Sequence, residues 1–190
     1  ILISSMLNLT KFDNGTIEIH YQLFPIQDLA FRTILMFESR LEKRNITLEG
    51  LDSEPVQVWG DPDLIGQVIY NLFENATKFV NTGGTITFTF KDEPNSTSIA
   101  IRNTGAGISK EELPKIFERF YKSDDSRSHD KTGLGIGLDI TKHIVRLHKA
   151  QISVSSEEGE YTEFLIRLPK KDAPAESPTE NPEKQPKDAR

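Results

Sequence analysis

Three polar side chains spaced by helical turns are the first candidates for chemistry in this 190-residue chain. Asn71, Asn75 and Lys78 fall at i, i+4 and i+7 and form a stripe along the edge of an apolar helical arc. Two carboxamide oxygens one turn apart can hold one Mg²⁺ ion, and an ammonium group one turn further can meet a phosphate. Because both amides are uncharged, such a site binds metal weakly until a triphosphate adds negative charge. A solvated margin of the helix is the alternative.

Two glycine-containing segments could hold an anion. Residues 103–107 (NTGAG) follow a predicted strand, and residues 133–138 (GLGIGL) lead into a predicted helix. Glycines before a helix allow backbone N–H groups to converge on a phosphate, assisted by the helix dipole. For residues 103–107 an ordinary turn is the alternative. Neither segment matches the GxxxxGK[ST] order of a P-loop. The glycine spacing also differs from a dinucleotide-binding fingerprint, and no βαβ unit surrounds it.

Hydrophobic periodicity predicts the elements that must position these side chains. Helices are expected at residues 25–44, 62–80 and 136–147, and the second begins with the capping pair Asp61-Pro62. The expected strands are residues 16–24, 46–51, 56–59, 85–90, 96–103, 151–156 and 161–168. Residues 104–135 form a long connection with one short helix at 110–116. The sum predicts an α+β fold, a two-layer sandwich in which about three helices cover one face of a mixed β-sheet.

Composition restricts the class of protein. Lys and Arg total 23 against 29 Asp and Glu, and the net charge of −6 without a basic block argues against a nucleic-acid partner. The absence of cysteine excludes disulfides, thiol catalysis and cysteine-ligated metals. Residues 170–190 contain no aromatic residue and no Val, Ile, Leu or Met, so we expect a disordered tail. Because the chain begins with Ile1, we expect a segment of a longer protein.

Together, four segments resemble, in the same order, the motifs of the catalytic and ATP-binding domain of two-component sensor histidine kinases. That family belongs to the ATPase superfamily shared with gyrase, mismatch-repair ATPases and certain heat-shock chaperones. Residues 71–79 (NLFENATKF) resemble its asparagine box and residues 103–108 (NTGAGI) its first glycine box. Residues 116–121 (IFERFY) resemble its phenylalanine box and residues 133–138 its second glycine box. The resemblance spans about residues 1–169.

The resemblance implies a role for each site residue. Asn75 would coordinate Mg²⁺ with Asn71 assisting, while Lys78 and Lys122 would contact the phosphates. Phe79 would lie along the adenine ring. The other nucleotide contacts that the resemblance implies are Asn103 at the bottom of the base pocket, and Gly105, Gly107, Ile108, Phe120, Gly133, Leu134, Gly135, Gly137 and Leu138.

The resemblance also divides the chain and implies partners. Residues 1–12 are similar to the end of a dimerisation helical hairpin, residues 13–169 to the catalytic domain with a mobile ATP lid, and residues 170–190 are the tail. The helix that bears the phosphoacceptor histidine is absent from this chain. The implied partners are ATP, the phosphoacceptor hairpin of the same parent protein and a response regulator. The parent would be a homodimer in the cell membrane, with this domain in the cytoplasm.

Two departures from the family's motifs bear on function. The first glycine box normally begins with aspartate, and here the residue is Asn103. An amide that rotates freely predicts a weaker preference for ATP over GTP, unless a neighbour such as Thr104 holds it. The turn after the last helix usually carries two glycines after a histidine, but this chain has His148-Lys149-Ala150.

Asn71 bears on the type of reaction. The superfamily's ATP-hydrolysing branches carry a glutamate at this position, because water needs a general base to attack the γ-phosphate. An amide cannot accept that proton, so Asn71 favours phosphoryl transfer to a histidine on a partner helix. The alternative, which Asn103 favours, is a nucleotide-responsive binding module without phosphotransfer.

Overall fold

The computed structural model describes residues 18–122 and 135–171. Its three helices are α1 (Ile26–Lys43), α2 (Pro62–Phe79) and α3 (Gly137–Leu147). The seven strands are β1 (Gln22–Pro25), β2 (Thr47–Glu49), β3 (Gln57–Gly60), β4 (Thr85–Asp92), β5 (Ser96–Thr104), β6 (Gln151–Glu157) and β7 (Tyr161–Pro169).

Five of the strands form one mixed sheet in the order β2-β4-β5-β7-β6. Strand β2 pairs with β4 in parallel, and the other three pairings are antiparallel. Along β4, Ile86, Phe88 and Phe90 are buried and alternate with half-buried threonines, as expected of a sheet with one covered face. The α+β prediction is confirmed: three helices accompany a mixed five-stranded sheet.

Helix α2 lies at the centre of the core. The Phe73 ring is fully buried, with its centroid 5.5 Å from that of Phe37 on α1 and 5.4 Å from that of Phe88 on β4. Phe73 therefore links both layers of the sandwich. Helix α2 begins where its capping signal predicts, because the Asp61 carboxylate accepts hydrogen bonds from the amides of Asp63 and Leu64 at 3.0 and 3.2 Å.

Three of the predicted elements differ from the structure. Within the described residues, the strand expected at 16–24 is limited to β1 (Gln22–Pro25), and the first helix begins at Ile26 rather than at Pro25. Residues 110–119 form successive turns rather than a helix at 110–116. Pro114 lies in the middle of that segment and has no N–H to donate to a helical ladder. Strand β3 does not join the main sheet; it pairs with β1 in a separate two-stranded antiparallel sheet, with Leu23 opposite Trp59.

Parts of three predicted segments fall outside the described residues. The hairpin end at residues 1–12 is one of them. The others are residues 123–134, which make up most of the expected lid, and residues 172–190 of the expected tail. The first two tail residues contact the domain: the Lys170 amide donates to Asn95 O at 3.0 Å, and Lys171 Nζ lies 4.9 Å from the Trp59 ring centroid. Within the described ranges, no helix combines the length and apolar character needed to cross a bilayer.

Candidate functional site

Asn71 joins the asparagine box to the second glycine box. Its side chain is buried on α2, and Nδ2 donates to Gly137 O at 3.0 Å and lies 3.4 Å from Thr141 Oγ1. Because a carbonyl oxygen can only accept, the bond to Gly137 fixes which end of the amide carries the nitrogen. The Oδ1 atom is therefore the end that remains for a cation. This contact also ties the start of α3 to α2.

Asn75 lies one turn further along α2 and is half-buried. Its carboxamide has no hydrogen-bond partner among the residues that the structure describes. The Lys78 ammonium pairs with the Glu74 carboxylate at 3.3 Å, in the i, i+4 order that favours a helical ion pair. The sequence spacing could have predicted that pair. Asn75 thus presents a polar group that helix packing does not use.

The end of α2 contacts the first glycine box. Phe79 is 36% exposed although it belongs to the apolar arc of the helix, and Val80 pairs with Gly105 in an isolated β-bridge. A Cβ atom added at Gly105 would lie 2.2 Å from Phe79 O and 3.3 Å from Asn103 Nδ2. Only glycine leaves room for this close approach. The lack of a side chain, and not the conformation of an ordinary turn, is therefore what position 105 requires.

Asn103 has a fixed amide. The residue is 4% exposed on β5, and its Nδ2 donates to the backbone oxygen of Thr104 at 3.0 Å. Turning the amide over would place Oδ1 against that carbonyl oxygen, which repels it. Thr104 is therefore the neighbour that holds this amide, which is the case in which weaker base discrimination is not expected; base selectivity itself stays a prediction. Asn103 presents an acceptor oxygen, as an aspartate would.

The loop after β5 is fixed to β6. A Cβ atom at Gly107 would lie 2.2 Å from Glu157 O, and the φ angle of Gly107 is +71°, which favours glycine. The Ile108 amide donates to Ser156 Oγ at 2.8 Å. Both residues therefore contribute to the position of the loop, whatever they contact in addition.

The phenylalanine box meets the second glycine box at the base of the expected lid. Phe120 is 65% exposed with a φ angle of +64°, and its amide donates to Gly135 O at 3.1 Å. Gly135 has a φ angle of +69°, and an added Cβ atom would lie 2.7 Å from Tyr121 O. Lys122 and Leu138 are half-buried, and Gly133 and Leu134 lie outside the described residues.

An ion pair that the sequence analysis missed reinforces this contact. Arg119 Nε lies 2.8 Å from the Asp139 carboxylate, whose side chain is buried in the first turn of α3. An acidic residue in a first helical turn is favoured by the helix dipole, which is a signal in the sequence. That signal does not identify the partner, because Arg119 is 20 residues away.

Three backbone or side-chain contacts thus join the four boxes into one site. Asn71 contacts Gly137, Val80 pairs with Gly105, and Phe120 bonds to Gly135. The residues fit a nucleotide. Phe79, whose ring is partly exposed, and Asn103, whose side chain is buried, both lie against Gly105. The Asn75 amide, which has no hydrogen-bond partner among the described residues, lies one turn before Phe79. No cluster of three or more His, Asp or Glu side chains in the described ranges could hold a metal.

Comparisons with known proteins agree with this geometry. The family model of the Histidine kinase-, DNA gyrase B-, and HSP90-like ATPase matches residues 60–172. Sensor protein SrrB of Staphylococcus aureus is 32% identical over 170 residues; the match covers 89% of this chain and 29% of SrrB. The chain therefore spans less than a third of that relative.

Solved structures give the same result. The catalytic domain of histidine kinase ThkA has 27% identity and a TM-score of 0.69, covering 79% of this chain and 95% of the ThkA domain. Acinetobacter baumannii histidine kinase AdeS has 22% identity and a TM-score of 0.73 over 90% of this chain and 78% of AdeS, which shows a shared fold. The chain therefore belongs to the family of histidine kinase-, DNA gyrase B- and HSP90-like ATPases, with the fold and motifs of a sensor histidine kinase catalytic domain.

Proposed function

We propose that this domain binds Mg-ATP and transfers the γ-phosphoryl group to a histidine on a dimerisation helix outside this chain. The observation that carries the proposal is Asn71, whose amide nitrogen is committed to Gly137 O. A carboxylate at that position could activate water, whereas this amide can only offer its oxygen to a cation. The reaction therefore needs a nucleophile that brings its own base.

The nearest carboxylate on α2 supports the same conclusion. Glu74 pairs with Lys78 and lines an open groove between α1 and α2, together with Arg40 and Tyr70. Asn71 contacts α3 instead, on another side of the helix. Glu74 is thus directed away from the position at which a hydrolase holds its base.

The residues of the site have complementary roles in this proposal. Bound Mg-ATP supplies the γ-phosphoryl group, whose bond to ADP breaks as a bond to the imidazole nitrogen forms, while the imidazole proton passes to a base on the partner helix. Asn75, assisted by Asn71, holds the cation. Lys78 and Lys122 neutralise phosphate charge. Phe79 lies against the base, and Asn103 accepts from its exocyclic amine.

Partners follow from the same proposal. The phosphohistidine passes its phosphoryl group to a response regulator, and the solved complex of ThkA with the response regulator TrrA is an example of such a pair. The parent is a membrane-bound homodimer with this domain in the cytoplasm, as the resemblance to sensor histidine kinases implies. The alternative is a binding module without phosphotransfer, which the replacement of aspartate by Asn103 favours. Because Asn103 offers an acceptor oxygen, as an aspartate would, its amide orientation supports the kinase proposal over that alternative.

The test is transfer from radiolabelled Mg-ATP to a separate helical-hairpin fragment that carries the acceptor histidine. We expect acid-labile label on the hairpin, no label on this chain alone, and negligible phosphate release. Asn75→Ala should weaken Mg-ATP binding by about tenfold or more, the scale of one lost charge-assisted contact, and metal-free ATP much less. Glu111→Ala, on an exposed turn, is the matched control.

Three outcomes would contradict the proposal. Acid-labile label on the chain alone would place an acceptor within it. Phosphate release without label on the hairpin would indicate a hydrolase. Equal losses of affinity with and without Mg²⁺ in Asn75→Ala would show that Asn75 has a structural role only.

A further inference from the structure

The last turn of α2 carries much of the proposed nucleotide site and ends in backbone carbonyls that need donors. Lys78 and Phe79 lie in that turn, and Asn75 lies just before it. The final carbonyl groups of any helix lack intrahelical N–H partners, so their position depends on what caps them. Here the cap comes from another element, 33 residues earlier in the chain.

Arg44 supplies that cap. Its guanidinium Nη1 donates to Thr77 O at 2.6 Å and lies 3.5 Å from Lys78 O, while Nη2 donates to Val80 O. The planar fork of arginine can bond to several oxygens at once, which an ammonium group does not reproduce. A cation at this end of a helix also interacts favourably with the helix dipole.

The backbone of Arg44 is fixed as well as its side chain. Arg44 caps α1, and Asn45 follows it in the left-handed region at a φ angle of +50°. The Ile46 amide donates back to Leu41 O at 3.0 Å, which closes the helix end in the usual way. The Arg44 carbonyl accepts from the Gly83 amide at 2.8 Å, just after α2. The guanidinium is therefore presented from a defined position.

The same segment also contacts the first glycine box. Val80 pairs with Gly105, and Phe79 O is so close to Gly105 that no side chain fits there. The segment from Lys78 to Val80 is thus held by contacts with both Arg44 and Gly105. Phe79 is partly exposed, so core packing alone does not determine where its ring lies.

We infer that Arg44 is a positioning residue for the nucleotide site: it orients Lys78 and Phe79 through the carbonyls of Thr77 and Val80, which flank them, without contacting the nucleotide. The inference rests on the proposed nucleotide binding. Arg44 lies outside all four boxes, and nothing in its local sequence indicates this role. The same contacts predict that Arg44→Lys retains the charge but loses the fork, and that Arg44→Met loses both.

The experiment is calorimetric titration of the whole chain with Mg-ATP at about 10 °C, near the usual maximum of protein stability. We expect Arg44→Met to weaken binding by about tenfold or more and Arg44→Lys by a smaller factor, because small displacements of site residues are costly. The matched control is Arg32→Met, an exposed arginine earlier on α1, which should stay within about twofold of the unsubstituted chain.

A second readout separates positioning from general stability. Amide NMR resonances of Lys78, Phe79 and Val80 should shift in Arg44→Lys even without nucleotide, while resonances of β6 should not. Unchanged affinity and unchanged resonances in a folded Arg44→Lys would overturn the inference, even if its melting temperature fell. If the unsubstituted chain failed to bind Mg-ATP, the proposed function would fail instead. The two failures are therefore distinguishable.

Discussion

At the scale of single residues, two asparagines of the proposed site donate their amide nitrogen to a backbone carbonyl. The Oδ1 atom of each is therefore the end that remains for a ligand. Asn71 donates to Gly137 O and Asn103 to Thr104 O, both at 3.0 Å. A carboxamide can in principle donate or accept, and here the backbone decides between the two. In the proposed function each asparagine therefore acts as an acceptor: Asn71 for a cation, and Asn103 for an amine.

Base selectivity tests this reading of Asn103. Turning its amide over would lose the bond to Thr104 O and oppose two oxygens, which costs about 1–3 kcal/mol. We therefore expect the ATP-over-GTP preference to differ by less than about threefold between the unsubstituted chain and Asn103→Asp. Competition of ATP and GTP against a fluorescent nucleotide measures both ratios.

The control for that comparison is Asn103→Ala, which removes the acceptor and should lower the preference for ATP. A preference at least about tenfold weaker in the unsubstituted chain than in Asn103→Asp would show that the amide rotates on binding.

At the scale of elements, α2 is fixed at both of its ends by residues from elsewhere. Arg44 caps the C-terminal end, and His148 contacts the N-terminal end, where its Nε2 accepts from the Asp61 amide at 3.1 Å. His148 Nδ1 donates to Ile144 O at 2.8 Å, so both ring nitrogens are used in the neutral form. The helix that carries the asparagine box is thus tied to α1 and to the end of α3.

This arrangement predicts a pH dependence of stability. Burial lowers the pKa of His148 below its usual value of about 6.5, although the bond to Ile144 and the nearby Asp61 carboxylate act in the opposite direction. As the pH falls through about 6.5, the unfolded chain takes up a proton that the folded chain resists, so the free energy of unfolding decreases. Above that pH the contribution of the neutral ring is complete.

Urea unfolding at about pH 7.5 and about pH 5.5 measures the effect. The decrease between the two values should be smaller in His148→Gln, whose amide can still accept from Asp61 but does not titrate. His20→Gln, at an exposed histidine, should behave like the unsubstituted chain. The same decrease in all three proteins would rule out His148 as the cause.

At the scale of the whole molecule, the ordered sheet reaches the beginning of the expected tail. Pro169 pairs with Ser96, the Lys170 amide donates to Asn95 O, and Lys170 Nζ lies 2.7 Å from the Asp92 carboxylate. Beyond Lys171 the chain has no Val, Ile, Leu, Met or aromatic residue. We therefore expect residues after about Lys171 to contribute little to the free energy of unfolding of the domain.

Two truncations test that boundary. Ending the chain after Lys171 should leave nucleotide affinity unchanged and the melting temperature within about 1 °C, because no apolar surface is removed. Ending it after Leu168 removes the contacts of Pro169, Lys170 and Lys171 and should lower the melting temperature by about 2–4 °C for each kcal/mol lost. A shift of several degrees in the longer truncation would mean that residues 172–190 dock on the domain.

Much of the fold could be predicted from the sequence because its signals are local. The Asp61-Pro62 capping pair and the apolar arc of α2 both belong to one continuous helix, and the β4–β5 and β6–β7 hairpins join consecutive strands. The short helix expected at 110–116 was wrong, since Pro114 outweighed the pattern around it. The order of the four boxes is also a property of the sequence alone.

Only the tertiary structure decided how those boxes meet and what their side chains present. Asn71 and Gly137 are 66 residues apart, and Arg44 and Thr77 are 33 apart. Such contacts depend on the packing of whole helices, which no local pattern encodes. Even the amide of Asn103, whose partner is the next residue, depends on the backbone conformation where β5 ends beside Gly105. The sequence determined which groups are available, and the packing determined which of them remain for a ligand.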